Sequence, residues 1–199
     1  MTGLTPNLDR VQNLIDATTA GVVGDAITLN TKALQNLIDD AAAEGGGTIC
    51  FPAGRYLTGT IQIRSNITLR LDPDAVLLGS TNVDDYIKVD PFEDAGGAKF
   101  GHALVVGIDA ENVGIEGGII DGQGHVLRTK QSPYLVRPFL IRWVRCRNVT
   151  MTNTFLTNPG AWRLHFFQTN GASIQGLTIR TRWRGIHNAD GINIDSSQN

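Results

Sequence analysis

The side chains best equipped for chemistry gather near the end of the sequence. Asn188-Ala-Asp-Gly191 sets a carboxylate, Asp190, beside an amide, and Asp195 follows shortly after. Read locally, these residue types form a turn that opens a strand. Alternation through Ile192 and Ile194 turns Asn193 and Asp195 outward and gives Asp190 inward parity, unless Gly191 breaks the register. Asp195 is therefore a second candidate acid. Arg180, Arg182 and Arg184 share one parity just ahead, and guanidinium forks suit carboxylates. Trp162 and Trp183 could stack on a ligand ring, and His165 and His187 could bond ligand hydroxyls; packing is the alternative for each.

The net charge of −2 conceals an uneven distribution. Residues 1–121 hold seventeen acids against seven bases, whereas residues 122–189 hold ten bases and no acid. This basic stretch is either a face for a polyanion or a face balanced in space by the acidic half. The aromatics are sparse and no nucleic-acid motif accompanies the charge, so nucleic acid is not an expected partner. Cys50 and Cys146 sit in apolar, strand-like runs and read as reduced core thiols. No Cys or His spacing suits a metal, and no cofactor is expected. No apolar run is long enough to cross a bilayer. The first residues show no basic segment followed by an apolar one, which reads as an intracellular protein or one relieved of its leader.

The elements that must position these groups change character along the chain. Residues 8–17 could form a short helix. A firmer one is predicted after Asn30 or Thr31, with Leu34, Leu37, Ile38, Ala41 and Ala42 on one face and Gly45-Gly46-Gly47 ending it. Short β-type runs follow: 48–51, 60–63, 67–71 and 75–78, each bounded by Gly, Pro, Asn or Asp. Three segments then align with one another, starting at Asn112, Asn148 and Gly171, with apolar residues at their second, fourth and ninth places. Asn66-Ile-Thr-Leu69 is a shorter copy, and Asn199 could open another. Recurrence of one strand–turn–strand unit is the signature of a solenoid. Ile115, Ile119, Val149, Met151, Ile174 and Ile179 are expected in stacked interior columns. The division expected is a helical cap and lead-in over 1–47 and stacked coils over 48–199.

Four ordered motifs carry a resemblance. Gly46-Gly-Thr-Ile-Cys-Phe-Pro-Ala-Gly-Arg-Tyr-Leu-Thr-Gly59 is similar to the opening coils of pectin-degrading enzymes. Gly118-Ile-Ile-Asp-Gly-Gln-Gly124 resembles the GxIDGxG turn of the polygalacturonase-like glycoside hydrolases. Pro159-Gly-Ala-Trp-Arg-Leu-His165 continues the order, and Asn188-Ala-Asp-Gly191 is similar to that family's NTDG signature. Ala189 stands where Thr is usual, and Asn193 where Asp is frequent. The resemblance spans residues 20–199 and implies an all-β, right-handed parallel β-helix with an N-terminal capping helix. It implies an inverting hydrolase of pectin-type polysaccharide, in which Asp190 positions or activates the water and Asn188 supports it. Arg180, Arg182, Arg184 and His187 would hold an acidic, galacturonan-type polymer, outside the cell or in the periplasm. The family's paired Asp-Asp, Gly-His-Gly and Arg-x-Lys motifs normally follow NTDG. The chain thus reads as an N-terminal portion, C-terminally incomplete, inactive alone, and able to associate through an exposed last coil. The alternative reading is a non-catalytic β-helix that binds polysaccharide or forms a stalk.

Overall fold

The computed structural model describes residues 13–93, 97, 99–130, 136–180 and 189–199. A first strand, β1 (Leu14–Asp16), precedes helix α1 (Thr31–Ala43). The first turn of coil follows as β2 (Gly47–Phe51), β3 (Gly54–Thr58) and β4 (Ile61–Ile63). The next comprises β5 (Ile67–Gly79), β6 (Lys88–Glu93) and β7 (Lys99–Ile108). Then come β8 (Glu111–Asp121), helix α2 (Gly124–Lys130) and β9 (Phe139–Val144), followed by β10 (Arg147–Thr152), β11 (Phe155–Thr157) and β12 (Leu164–Phe167). The last are β13 (Asn170–Gln175), β14 (Thr178–Arg180) and β15 (Ile192–Asp195).

Every coil feeds the same two sheets. One runs β1-β2-β5-β8-β10-β13, with β3, β11 and β14 joined along its flank; the other runs β4-β7-β9-β12-β15. All these pairings are parallel, and among the described residues the antiparallel pair is β6 with β7. This is the right-handed parallel β-helix the resemblance implied, with the stacked coils the repeats implied. No helix among the described residues is long and apolar enough to cross a membrane.

Parallel register turns the sequence repeat into columns of like residues. Ile15, Ile49, Leu69, Ile115, Met151 and Ile174 stack one above another. Leu77, Ile120, Leu156 and Ile179 form a second column. Val105, Ile141, Leu164 and Ile192 form a third in the opposite sheet. No coil could bury these side chains alone; stacking about 4.8 Å apart makes one continuous interior. Ile119 departs from expectation. It is half-buried and faces outward, because Gly117 (φ 73°) and Gly118 (φ 57°) break the alternation and hand the interior place to Ile120. Ile174 and Ile179 pack against the core but are only partly buried.

The repeat start is a left-handed corner. Asn66, Asn112 and Asn148 have φ of 63°, 55° and 52°, a region Asn tolerates better than other side chains. Their amides form a ladder, Asn112 Nδ2 donating to Asn66 Oδ1 at 3.0 Å and Asn148 Nδ2 to Asn112 Oδ1 at 3.1 Å. Gly171 takes the corner in the next coil, and Asn199 (φ 64°) takes it in the one after.

Helix α1 covers the first coils with Leu34, Ile38 and Ala41. Asn30 precedes it without capping it. Its side chain instead donates to the carbonyls of Val23, Thr28 and Leu57 and accepts from Val23 N–H, pinning the lead-in. The short helix expected over 8–17 is not formed where the chain is described. Leu14–Asp16 is a strand paired to β2, because its backbone completes the exposed edge of that sheet; residues 8–12 lie outside the described residues. Both cysteines are free thiols, and burial raises the pKa of each.

Candidate active site

The Gly118–Gly124 turn carries the chain from one sheet towards the other. Asp121 accepts from Gln123 N–H and from Asn158 Nδ2, both at 3.0 Å, so it locks the turn to the next coil. A Cβ on Gly124 would stand 1.9 Å from the carbonyl oxygen of Pro159, which is why that place in the motif is Gly. One coil further, the 159–165 motif approaches the segment around Asp190. Arg163 N–H donates to Asp190 O at 3.0 Å, and the Arg163 guanidinium donates to Ala189 O and, at 3.4 Å, to Asp190 O. This buried arginine thus holds the backbone of the acid-bearing turn.

Asp190 itself is exposed, and its Oδ2 accepts from Asn193 Nδ2 at 3.1 Å. Asn193 pairs in register with His165, whose neighbours Leu164 and Phe166 point inward, so Asn193 faces outward. The Asp190 carboxylate therefore stands with the outward set. The bend at Gly191 breaks the alternation that would have turned it into the core. Asp195 is exposed on that same face, two residues beyond Asn193, and pairs with Phe167.

Behind Asp190 the outer face is packed. Val106, Arg142, His165 and Asn193 lie side by side on β7, β9, β12 and β15. Strand β6 and the start of β7 fold over the first of these. Arg142 Nη1 donates to Val89 O at 2.8 Å and Asp90 O at 3.2 Å, while its guanidinium lies 5.1 Å from the Phe92 ring centre. Burial lowers the Arg142 pKa to about 10 against the opposing pull of Asp90. His165 is 1% exposed; burial, then the charge of Arg142, lowers its pKa to about 4. It is a neutral packed group, and bonding sugar hydroxyls is not open to it. Trp162 is half-buried and stacks on Phe139 at 5.0 Å and 12°, edge-on to His165.

The basic stretch is partly balanced by the acidic half. Arg145 contacts Asp109 at 2.7 Å and Arg147 contacts Glu111 at 3.2 Å, because residues 36 apart become neighbours in adjacent coils; Arg145 also reaches Asp90, 55 residues earlier, at 3.3 Å. Arg180 remains exposed, in a row with Asp121 and Thr157. No hydrogen bond or ion pair joins it to Asp190 among the described residues. Asn188, Arg182, Arg184, His187 and Trp183 lie outside the described residues. Sequence reasoning missed Arg163 as the clamp on the turn and Arg142 as a buried cation. Their only signal was Arg in otherwise apolar strand contexts.

The family described as rhamnogalacturonase A/epimerase, pectate lyase-like, matches residues 14–199. A Vitis vinifera protein described as a probable polygalacturonase is 35% identical over 196 residues, covering 90% of this chain and 39% of the relative. An exo-poly-alpha-D-galacturonosidase of Dickeya chrysanthemi is 42% identical over 83 residues, covering 42% of this chain and 14% of the relative. The chain thus spans well under half the length of either relative. The Yersinia enterocolitica family 28 exopolygalacturonase superposes with a TM-score of 0.80 at 23% identity, over 94% of this chain and 42% of that one, and shows the same fold.

Proposed function

The chain belongs to the rhamnogalacturonase A/epimerase, pectate lyase-like family, and from that premise we propose that it acts on a pectin-type polymer as a glycoside hydrolase with inversion. The observation that carries the proposal is the Asp190 carboxylate. It is exposed, oriented by Asn193, and its turn is clamped by Arg163. Inverting hydrolysis needs one carboxylate to activate water and a second carboxyl group, roughly 6.5–9.5 Å away, to protonate the leaving oxygen. Asp190 takes the water side, with Asn188 in support. Arg180, Arg182, Arg184 and His187 are the groups assigned to the acidic polymer, since each uronic unit brings a carboxylate for a guanidinium. A substrate of that size places the work outside the cell or in the periplasm.

Within residues 122–199 the acids are Asp190 and Asp195, both on one short segment. On this reading the chain binds polygalacturonate, and its release of reducing ends depends on Asp190. The test compares this chain with Asp190→Asn for binding and for release over long incubation. Release should fall by about 10²-fold or more in the variant, the usual worth of a general base. Equal release from both would remove Asp190 from the chemistry, and absence of binding by the parent would refute the substrate class.

A further inference from the structure

A groove of about 660 Å³ opens on the first sheet, whereas Asp190 stands just ahead of β15 in the second. Its size falls within the range of small-molecule sites, roughly 300–1,000 Å³. Two apolar side chains line it. The Gly117-Gly118 bend that gives Ile120 the interior place leaves Ile119 outside, and Phe155 pairs with Ile119 in register from β11. Leu156, the next residue, is the one that enters the core. Ile119 and Phe155 are each half-buried, and together they give the groove an apolar wall.

Polar groups border that wall. Arg70 Nε donates to Glu116 Oε2 at 2.7 Å, which leaves the two terminal nitrogens of the guanidinium as donors among the described residues. Asp72 and Asn153 also line the groove; both are exposed, and neither side chain is hydrogen-bonded among the described residues. The signs of charge decide the ligand. Two carboxylates against one guanidinium leave the lining negative, so an acidic sugar is repelled, while Arg70 opposes a cation. What fits is a neutral molecule with an apolar face and several hydroxyls, which carboxylates accept from and guanidinium and amide groups donate to.

We propose that this groove binds a neutral saccharide and is separate from the acidic-polymer site at Asp190. The apolar face of a sugar ring covers Ile119 and Phe155, and its hydroxyls bond Arg70, Asp72, Glu116 and Asn153. The site goes beyond the hydrolase reading and stands whether or not Asp190 is catalytic.

The test is an NMR titration of the full chain with galactotriose, arabinotriose and cellotriose, and with trigalacturonate at equal concentration. At least one neutral trimer should shift the Ile119 methyls and the Phe155 amide saturably in the millimolar range. Trigalacturonate should shift them several-fold less. Asp72→Ala, at an exposed position outside the core, should weaken the neutral trimer roughly tenfold, the worth of one hydrogen bond to a charged group. Phe155→Ala should weaken it comparably; should that variant fail to fold, Asp72→Ala decides. Silence towards all three neutral trimers, equal or tighter binding of trigalacturonate, or unchanged affinity in Asp72→Ala each overturns the site. These readings come from the first sheet and involve no turnover, so their failure leaves the proposed function standing. Loss of polygalacturonate binding would, in turn, leave this site standing.

Discussion

Acidification should weaken this fold through one imidazole. His165 is buried beside Arg142, and its pKa is lowered from the ordinary 6.5 to about 4. The folded state therefore binds this proton less readily than the unfolded state. Above pH 6.5 the histidine is neutral in both states and costs nothing. Below it the unfolded chain gains a proton that the folded chain refuses, so stability falls as pH drops through 6.5 and levels off below the folded value. Carrying the shift to pH 4.5 gives a loss of about 2.5 kcal/mol from this residue. The assay is urea denaturation of the parent and of His165→Phe at pH 7.5 and pH 4.5, each referred to its own value at pH 7.5. Carboxylates paired with arginine contribute to both proteins alike and cancel in the comparison. The parent should lose about 2.5 kcal/mol more than the variant. An equal loss would mean that His165 accepts its proton in the folded state, and the account of a neutral, Arg142-facing imidazole would fail.

Two further outcomes follow from the stacking. Gly124→Ala should lower stability by roughly 2–3 kcal/mol, since its Cβ would meet the Pro159 carbonyl at 1.9 Å and the overlap falls on backbone; an unchanged melting temperature would refute the contact. Arg145→Ala should cost only about 1 kcal/mol despite its bonds to Asp109 and Asp90, because the cluster is open to solvent, and the cost should shrink in high salt. A salt-independent loss of several kcal/mol would show that the cluster is shielded from water.

Recurrence made the architecture readable without coordinates. Apolar residues at matching places after Asn112, Asn148 and Gly171 demanded stacked coils, and the columns through Ile115, Met151 and Ile174 answer them. The helix over Thr31–Ala43 was equally legible, because its apolar spacing and the glycines after it are local properties. Ile119 was misread because alternation assumes an unbroken pleat, and Gly117-Gly118 interrupts it.

The site divided along the same line. Sequence by itself determined that an acid, Asp190, stands in a turn among motifs of a pectin-active family, since motif order survives in one dimension. It could not determine the direction of that acid. The direction depends on a bend at Gly191, on Arg163 from the previous coil, and on Asn193 beside it. Nor could it separate the arginines of the basic stretch. Arg145 and Arg147 are matched by acids 36 residues earlier, and Arg142 is enclosed beneath β6. Partners so far apart in sequence meet only when coils stack, because lateral register between parallel strands is a property of the assembled solenoid and of no single coil.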